Sequence, residues 1–367
     1  MKPLFLYDGL KKGEELLHEL QFRDRIKSAE YHYATEFEFD GFFDEALTEN
    51  IFKIIKQLSK QIEFETFKLG ISWPDVSDAE KSHLKFSVQT ALMKRIESEL
   101  KKKMTLTISD VEFLINFQQK LVCIRLRPVY VRGRYCKYSR EIAQTEFFCN
   151  KCRGSGCWYC QNTGHFSTES VEQLIGKVMV PFFEGKLLIM HGAGREDMDV
   201  LMLGEGRPFI AEILLPLKRF ADVKAIENEI NSIYKDKISV NSLELCTLGD
   251  VSLLKDAHHH KVYSAYVTSD KPANLEMLKI GEKIDVIQKT PLRVVKRRAD
   301  LDREKIVVIE RVGKINENEF VLELRTSHGT YVKEFISGDD GRTKPSISSI
   351  TGARCTCKLL DVVEICE

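Results

Sequence analysis

His191-Gly-Ala-Gly-Arg195-Glu196-Asp197-Met-Asp199-Val-Leu-Met-Leu-Gly204-Glu-Gly206-Arg207-Pro208-Phe209 packs four acids, two arginines and four glycines into nineteen residues. It follows directly on the apolar run Leu187-Leu188-Ile189-Met190. That order predicts a strand delivering a tight polar loop, shaped by glycines that tolerate backbone conformations closed to other residues. Loops of this kind carry chemistry more often than packing. A charged surface turn has the same composition, so composition alone leaves both readings open.

Outward from this loop, helices alternate with strands. Ser170 followed by Gln173 is a capping-box pattern that opens a helix. Val223, Ile226, Ile230 and Ile233 recur along one helical face. Residues 262–267, 304–310 and 319–324 are rich in Val, Ile, Phe and Tyr and predict strands. Nearer the N-terminus, Ile51, Ile54, Ile55 and Leu58 keep helical spacing, and a second helix is expected over about 79–103. The period then changes to two. Val111, Phe113, Ile115 and Phe117 alternate with other residues, and Val122, Ile124 and Leu126 alternate with Arg125 and Arg127, as in a hairpin. Helices beside a small sheet give an α+β module. The expected division is an N-terminal α+β module over 1–147, a cysteine loop over 148–165 and a larger unit over 166–367. No internal repeat or low-complexity tract interrupts it.

The cysteine loop holds two C-x2-C pairs in Cys149-Asn-Lys-Cys152-Arg-Gly-Ser-Gly-Cys157-Trp-Tyr-Cys160. Four thiolates at this spacing can surround one tetrahedral Zn²⁺ and close its coordination sphere, which makes the metal structural. Free thiols or two disulfides are the alternatives, and the latter strain so short a loop. The other cysteines, Cys123, Cys136, Cys246, Cys355, Cys357 and Cys366, read as core or surface thiols. His258-His259-His260 reads more simply as a solvated loop than as a metal site.

Bulk numbers bound the rest. The chain has 367 residues, 43% hydrophobic, with 55 basic and 55 acidic side chains and zero formal net charge. Balanced charge argues against coating nucleic acid by bulk attraction but leaves room for a local basic groove. No run of about 18 apolar residues predicts a membrane span. Asp8, Lys11 and Lys12 interrupt the N-terminal stretch where a secretory signal would be apolar. Clustered cysteines in a chain of this length suit a reducing, cytoplasmic compartment.

Gly194-Arg195-Glu196-Asp197 resembles the loop that carries the catalytic aspartate of pseudouridine synthases. Its longer form through Pro208 is similar to that of the archaeal tRNA pseudouridine synthases acting on T-loop positions 54 and 55. Further motifs follow in the family's order: Lys261-Val-Tyr263-Ser-Ala, Thr290-Pro291-Leu-Arg293-Val-Val-Lys-Arg297-Arg298-Ala-Asp300, Gly329-Thr-Tyr331-Val-Lys333-Glu334-Phe and Gly338-Asp-Asp-Gly341-Arg342-Thr343. Gly133-Arg134-Tyr135, Ser139-Arg140 and Gln144-Thr145 extend the match upstream to about Tyr130. Before that point it is weak, and no cysteine precedes Cys123, so the second zinc site found in many members is not expected.

The resemblance implies a catalytic domain with a mixed, mostly antiparallel sheet, preceded by a THUMP-like RNA-binding module. It implies Asp197 as nucleophile, Tyr263 stacking on the base and taking part in proton transfer, and Lys333 paired to Asp197. Such a cation lowers a carboxyl pKa by roughly 1–3 units and keeps it ionised. Candidate RNA contacts are Arg195, Arg207, Arg293, Arg297, Arg298 and Arg342, with Lys296 and Arg303 nearby and a second basic group at Arg132, Arg134, Lys137 and Arg140. Asp199 rivals Asp197, which fills the position after Gly-Arg-x. No organic cofactor, membrane or obligate protein partner is implied; the partner is tRNA. The alternatives are a catalytically silent zinc-containing tRNA-binding protein on the same fold and a zinc interaction module. Retention of Asp197, Tyr263 and Lys333 speaks against the first, and a single cysteine unit against the second.

Overall fold

A computed structural model describes residues 5–8, 11–12, 31–39, 44–72, 78–146, 149, 151–152, 154–164, 169–295 and 299–366. Arg297 and Arg298, with Lys296, therefore lie outside the described residues.

Two sheets organise the rest. Strands β1 (Phe5–Asp8), β2 (Lys11–Lys12), β3 (Tyr31–Glu36), β4 (Thr66–Ser72), β5 (Lys103–Met104), β6 (Val111–Asn116) and β7 (Leu121–Leu126) form the first, in the order β2-β1-β3-β7-β6-β4-β5. Helices α1 (Glu45–Ser59) and α2 (Asp78–Leu100) accompany it. Asp44 caps α1 by accepting from Leu47 N at 2.7 Å, and Leu47, Ile51, Phe52, Ile55 and Leu58 bury one face. The expected hairpin is present as antiparallel β6 and β7. The second expected helix stops earlier, because Lys101 turns left-handed (φ 56°) and Lys103 joins a strand.

The larger sheet contains β8 (Val129–Lys137), β9 (Leu187–Gly192), β10 (Leu201–Leu214), β11 (Ile238–Cys246), β12 (Lys261–Ser269), β13 (Lys283–Lys289), β14 (Asp302–Lys314), β15 (Glu319–Thr326), β16 (Thr343–Lys344) and β17 (Cys355–Ile365). Their order is β11-β8-β10-β17-β12-β15-β14-β13-β16, with β9 also paired to β10. β10 runs parallel to β17, while the other described pairings are antiparallel. The mixed, mostly antiparallel sheet and the α+β class are as expected. Helices α3 (Val171–Phe182), α4 (Val223–Ile233), α5 (Leu248–Asp256), α6 (Val332–Ser337) and α7 (Ile347–Thr351) accompany the sheet. Ser170 caps α3, accepting from Gln173 N at 3.2 Å. Ile226 and Ile230 of α4 are fully buried, whereas Ile233 ends the helix exposed.

Strand membership moves one boundary. β8 was expected in the first module, which was to end at 147, yet it pairs with β10 and β11 inside the second sheet. The change of sheet falls between Leu126 and Val129, at Arg127-Pro128. The segment after β10 then clasps the two units together. Leu215 packs into the first core, and Leu217 O accepts from Glu63 N at 2.8 Å. Arg219 reaches Arg127 O at 2.7 Å and Asp110 Oδ1 at 3.3 Å, while its own N–H donates to Glu63 Oε2 at 2.6 Å.

Candidate active site

Residues 193–200 form the overhang where β9 and β10 stop pairing, beyond Phe209 opposite Gly192. The strand resumes at Leu201, inside the stretch expected to be loop. Between Met202 and Arg207 the register against β8 slips, and Gly204 takes φ 61° there; a Cβ on it would stand 2.1 Å from Val363 O. Such bulges re-aim side chains, and Arg207 is turned inward.

Arg207 was expected to contact RNA, and here the structure corrects the expectation. Its side chain is 1% exposed and sits in an ion pair, Nε to Glu196 Oε2, at 2.8 Å, while Nη1 donates to Ala193 O at 2.7 Å. Glu196 is equally buried and also accepts from Tyr135 Oη at 2.8 Å. Gln144 Nε2 donates to that hydroxyl at 2.8 Å and to Gly194 O at 3.0 Å. The carboxylate next to Asp197 is thus a buried anchor. Sequence reasoning assigned no anchoring role to Glu196, Tyr135 or Gln144. Glu196 lies between two exposed residues, and neither spacing nor charge distinguishes it.

Lys137 and Arg140 are corrected in the same way. Lys137 is fully buried and donates to Met198 O at 2.6 Å and Ile142 O at 3.0 Å; burial lowers its pKa to about 8. Arg140 holds Asp199 O at 2.8 Å, Leu360 O at 3.1 Å and Asp361 Oδ1 at 2.6 Å. Both brace the loop's backbone from behind. Arg132 pairs with Glu244, and Arg134 donates to the carbonyls of Glu205 and Gly206.

So braced, the loop presents Asp197 to a cavity of about 300 Å³, within the size range of small-molecule sites. Asp197, Tyr263, Arg293 and Lys333 all line it, together with Arg195, Lys261, His328 and Tyr331. Arg293 Nη1 lies 3.2 Å from Asp197 Oδ2, and Lys333 Nζ lies 3.5 Å from the same oxygen. Lys333 is nearer to Asp199, at 2.9 and 2.8 Å from its two oxygens. The expected pairing of Lys333 with Asp197 therefore exists as the longer arm of a shared contact, and Arg293 is the nearer cation. Partial burial pushes the Asp199 carboxyl up, but the Lys333 hydrogen bond and charge more than offset it and leave it below its usual value. Arg293 is itself fixed by Glu334 Oε1 at 2.6 Å. Lys333 stands on the first turn of α6, which Gln288 pins by exchanging 2.9 Å hydrogen bonds with the backbone of Tyr331.

Tyr263 enters from β12, between Leu324 of β15 and Val362 of β17. Burial raises its phenol above the usual value, partly countered by Arg207, so the ring stays neutral near pH 7. Arg195 is exposed at the cavity. Arg342 holds Thr290 O at 2.7 Å and pairs with Asp300, so it shapes the basic 290–303 segment.

Away from this cavity, the sulfurs of Cys149, Cys152, Cys157 and Cys160 lie within 4.8 Å of one another. Cys149 to Cys157 is 3.7 Å and Cys152 to Cys160 is 3.6 Å, far too long for disulfides. Four sulfurs on a tetrahedron around zinc at about 2.3 Å would stand roughly 3.8 Å apart, so the cluster fits the metal. Cys160 Sγ also accepts from the N–H groups of Cys157 and Gly164, at 3.3 and 3.2 Å. The excursion closes on itself, because Cys149 N donates to Gly164 O at 2.7 Å and Ala143 pairs with Ser170. The triple histidine lies in a loop, where His258 packs against His328 with ring centres 4.9 Å apart.

Residues 130–366 match the family model described as "Pus10, C-terminal". The chain belongs to the Pus10 family. Curated Pus10 relatives named tRNA pseudouridine synthase cover most of it. The protein of Methanopyrus kandleri is 39% identical over 329 residues, 84% of this chain and 76% of that one. That of Methanocaldococcus jannaschii is 37% identical over 338 residues, 89% and 74%, and that of Korarchaeum cryptofilum 35% over 342 residues, 89% and 91%. Likeness to a solved Cbf5-Nop10-Gar1 complex is slight, at 14% identity and a TM-score of 0.28 over 51% of this chain and 43% of that one. The Pus10 match begins where β8 joins the second sheet, so family and fold divide the chain at nearly the same place. Among the described residues, no helix is long and apolar enough to cross a membrane.

Proposed function

We propose that this chain is a tRNA pseudouridine synthase in which Asp197 is the catalytic carboxylate, acting on T-loop uridines at position 54, 55 or both. The observation that carries the reading is the convergence of Asp197, Tyr263, Arg293 and Lys333 on one cavity in a Pus10-family chain. Pseudouridine formation breaks the N1–C1′ bond, turns the uracil and rejoins it through C5. A carboxylate can attack C1′ or assist departure of the base, as carboxylates do in glycoside hydrolysis. Arg293 and Lys333 favour the ionised form of that carboxylate. Tyr263 offers a face on which the detached base can lie, a contact worth roughly 1–3 kcal/mol. Arg195, exposed at the mouth, suits a phosphate or the space left by an extracted nucleotide, whose extraction costs a few kcal/mol.

In this reading the unit before Arg127 is a THUMP-like RNA-binding module, and the four-cysteine loop holds a structural Zn²⁺ that ties Ala143 to α3. Free thiols at Cys123, Cys136 and Cys355 suit a cytoplasmic setting. The test is tritium release from C5-labelled uridine in unmodified tRNA, with the product position mapped. Release coupled to pseudouridine at 54 or 55 is expected. A protein that binds the tRNA with no release would support the silent alternative instead.

A further inference from the structure

Lys261 opens β12, two residues before Tyr263, and is only 7% exposed. Its side chain lines the same cavity as Asp197. The amine lies 3.1 Å from the place a Cβ would occupy on Gly194, and Arg207 Nη1 lies 3.2 Å from that place. Gly194 (φ 82°) thus leaves room for two buried cations beneath the catalytic loop. The carboxylate near them is Glu196, already engaged by Arg207 and Tyr135. Among the described residues Lys261 forms no ion pair, and its amine donates no hydrogen bond. Two cations against one carboxylate leave an uncompensated positive charge at the cavity wall. Other charged or titratable groups lining the same cavity are His328, beyond β15, Tyr263 on its own strand, and Arg195, Asp197, Arg293 and Lys333, of which Asp197 is paired to Arg293 and Lys333. Its strand neighbours Thr326 and Ile365 carry no charge.

A buried ammonium without an acceptor is costly to keep, which makes sense where an anion visits. Breaking the N1–C1′ bond leaves the bonding pair on N1, delocalised onto the uracil carbonyl oxygens. We propose that Lys261 is a catalytic residue whose ammonium binds a carbonyl oxygen of the detached uracil and holds the negative charge it acquires on leaving C1′. The inference rests on the pseudouridine synthase reading above. Lys261 keeps its protons throughout. C5 then forms the new bond to C1′, the C5 proton passes to a base, and N1 takes a proton from solvent, so the isomerisation balances. A donor used only after charge develops accelerates the chemical step rather than binding. Burial and the Arg207 charge hold the Lys261 pKa down to about 8. Its charged form is present below that pH and lost above it, so the rate should have an alkaline limb near pH 8.

The test compares wild type, K261M, K261R and D197N in single-turnover tritium release from C5-labelled tRNA, with tRNA affinity by filter binding and folding by thermal melts. K261M should lose about 100-fold or more in rate, keep its tRNA Kd within about threefold, and lose the alkaline limb. K261R, charged at all accessible pH, should recover part of the rate with that limb moved beyond pH 10. A K261M rate within threefold of wild type, or an unchanged limb near pH 8 in either variant, would overturn the proposal. If K261M melts below the assay temperature, K261R decides: partial rate without the limb supports it, and a retained limb refutes it. Wild type that releases no tritium defeats the synthase reading as well, whereas active wild type beside an unaffected K261M defeats only the role of Lys261.

Discussion

The buried pair behind the acidic loop makes a demanding prediction. Arg207 and Glu196 each expose 1% of their side chains and meet at 2.8 Å. Arg207→Met keeps most of the apolar stem but leaves Glu196 charged and buried, with only the Tyr135 hydroxyl and a more distant Lys261 to answer it. Breaking one side of such a pair costs about 3–5 kcal/mol, a large share of the ~5–15 kcal/mol that holds a domain together. Ala193 also loses its 2.7 Å donor, which loosens the turn into Asp197. At about 2–4 °C per kcal/mol for a unit of this size, R207M should melt roughly 6–20 °C below wild type by calorimetry. Glu196→Gln strands the arginine instead and should destabilise similarly. The double variant E196Q/R207M should recover part of the loss, giving a coupling energy of about 2 kcal/mol or more. A drop under ~1 kcal/mol in R207M, or additive single variants, would refute the view of this pair as the loop's anchor.

Other expectations follow from the same geometry. Elemental analysis should find zinc bound to the wild-type chain and lost in C157S, whose segment between Ala143 and α3 should become protease-sensitive; zinc-free protein that stays protected yet inactive would mean the metal is not structural. At the clasp, burial raises the Asp110 carboxyl, but the N–H groups of Glu65 and Thr66 and the Arg219 charge outweigh it and hold the pKa below the usual carboxylate value. A depressed folded-state pKa contributes stability that is present above the ordinary carboxylate range and lost as pH falls through the folded value. The urea midpoint of wild type should therefore drop on acidification below about pH 4 more steeply than that of D110N; equal slopes would remove Asp110 from the clasp.

Much of this fold was legible because local signals agreed with it. Ile51, Ile55 and Leu58 fall on the buried stripe of α1, Ser170 caps α3, and the period-two runs around Phe113 and Ile124 pair as a hairpin. The two C-x2-C pairs likewise close on one point. What sequence could not supply was direction and distant pairing. Arg207, Lys137 and Arg140 read as a phosphate-binding surface because basic residues usually face water, yet the bulge at 202–207 and the central place of β8 turn Arg207 and Lys137 inward, and Arg140 is taken up by Asp199 O, Leu360 O and Asp361. β8 looked like part of the first module because its partners, β10 and β11, lie far along the chain. The acidic loop stood out in the sequence, but the division of Lys333 between Asp199 and Asp197, and the closer approach of Arg293, depend on how α6 and the 290–295 segment dock against it. Glu196 appeared as one acid among four, and only burial distinguishes it.

Substituting each acid of the loop separately weighs the whole account. In single-turnover assays with C5-tritiated T-loop uridine, D197N should release no tritium above background while holding tRNA within several-fold of wild-type affinity, and D199N should still turn over at a reduced rate. Sustained release by D197N beside a silent D199N would transfer the nucleophile to Asp199 and contradict the central claim.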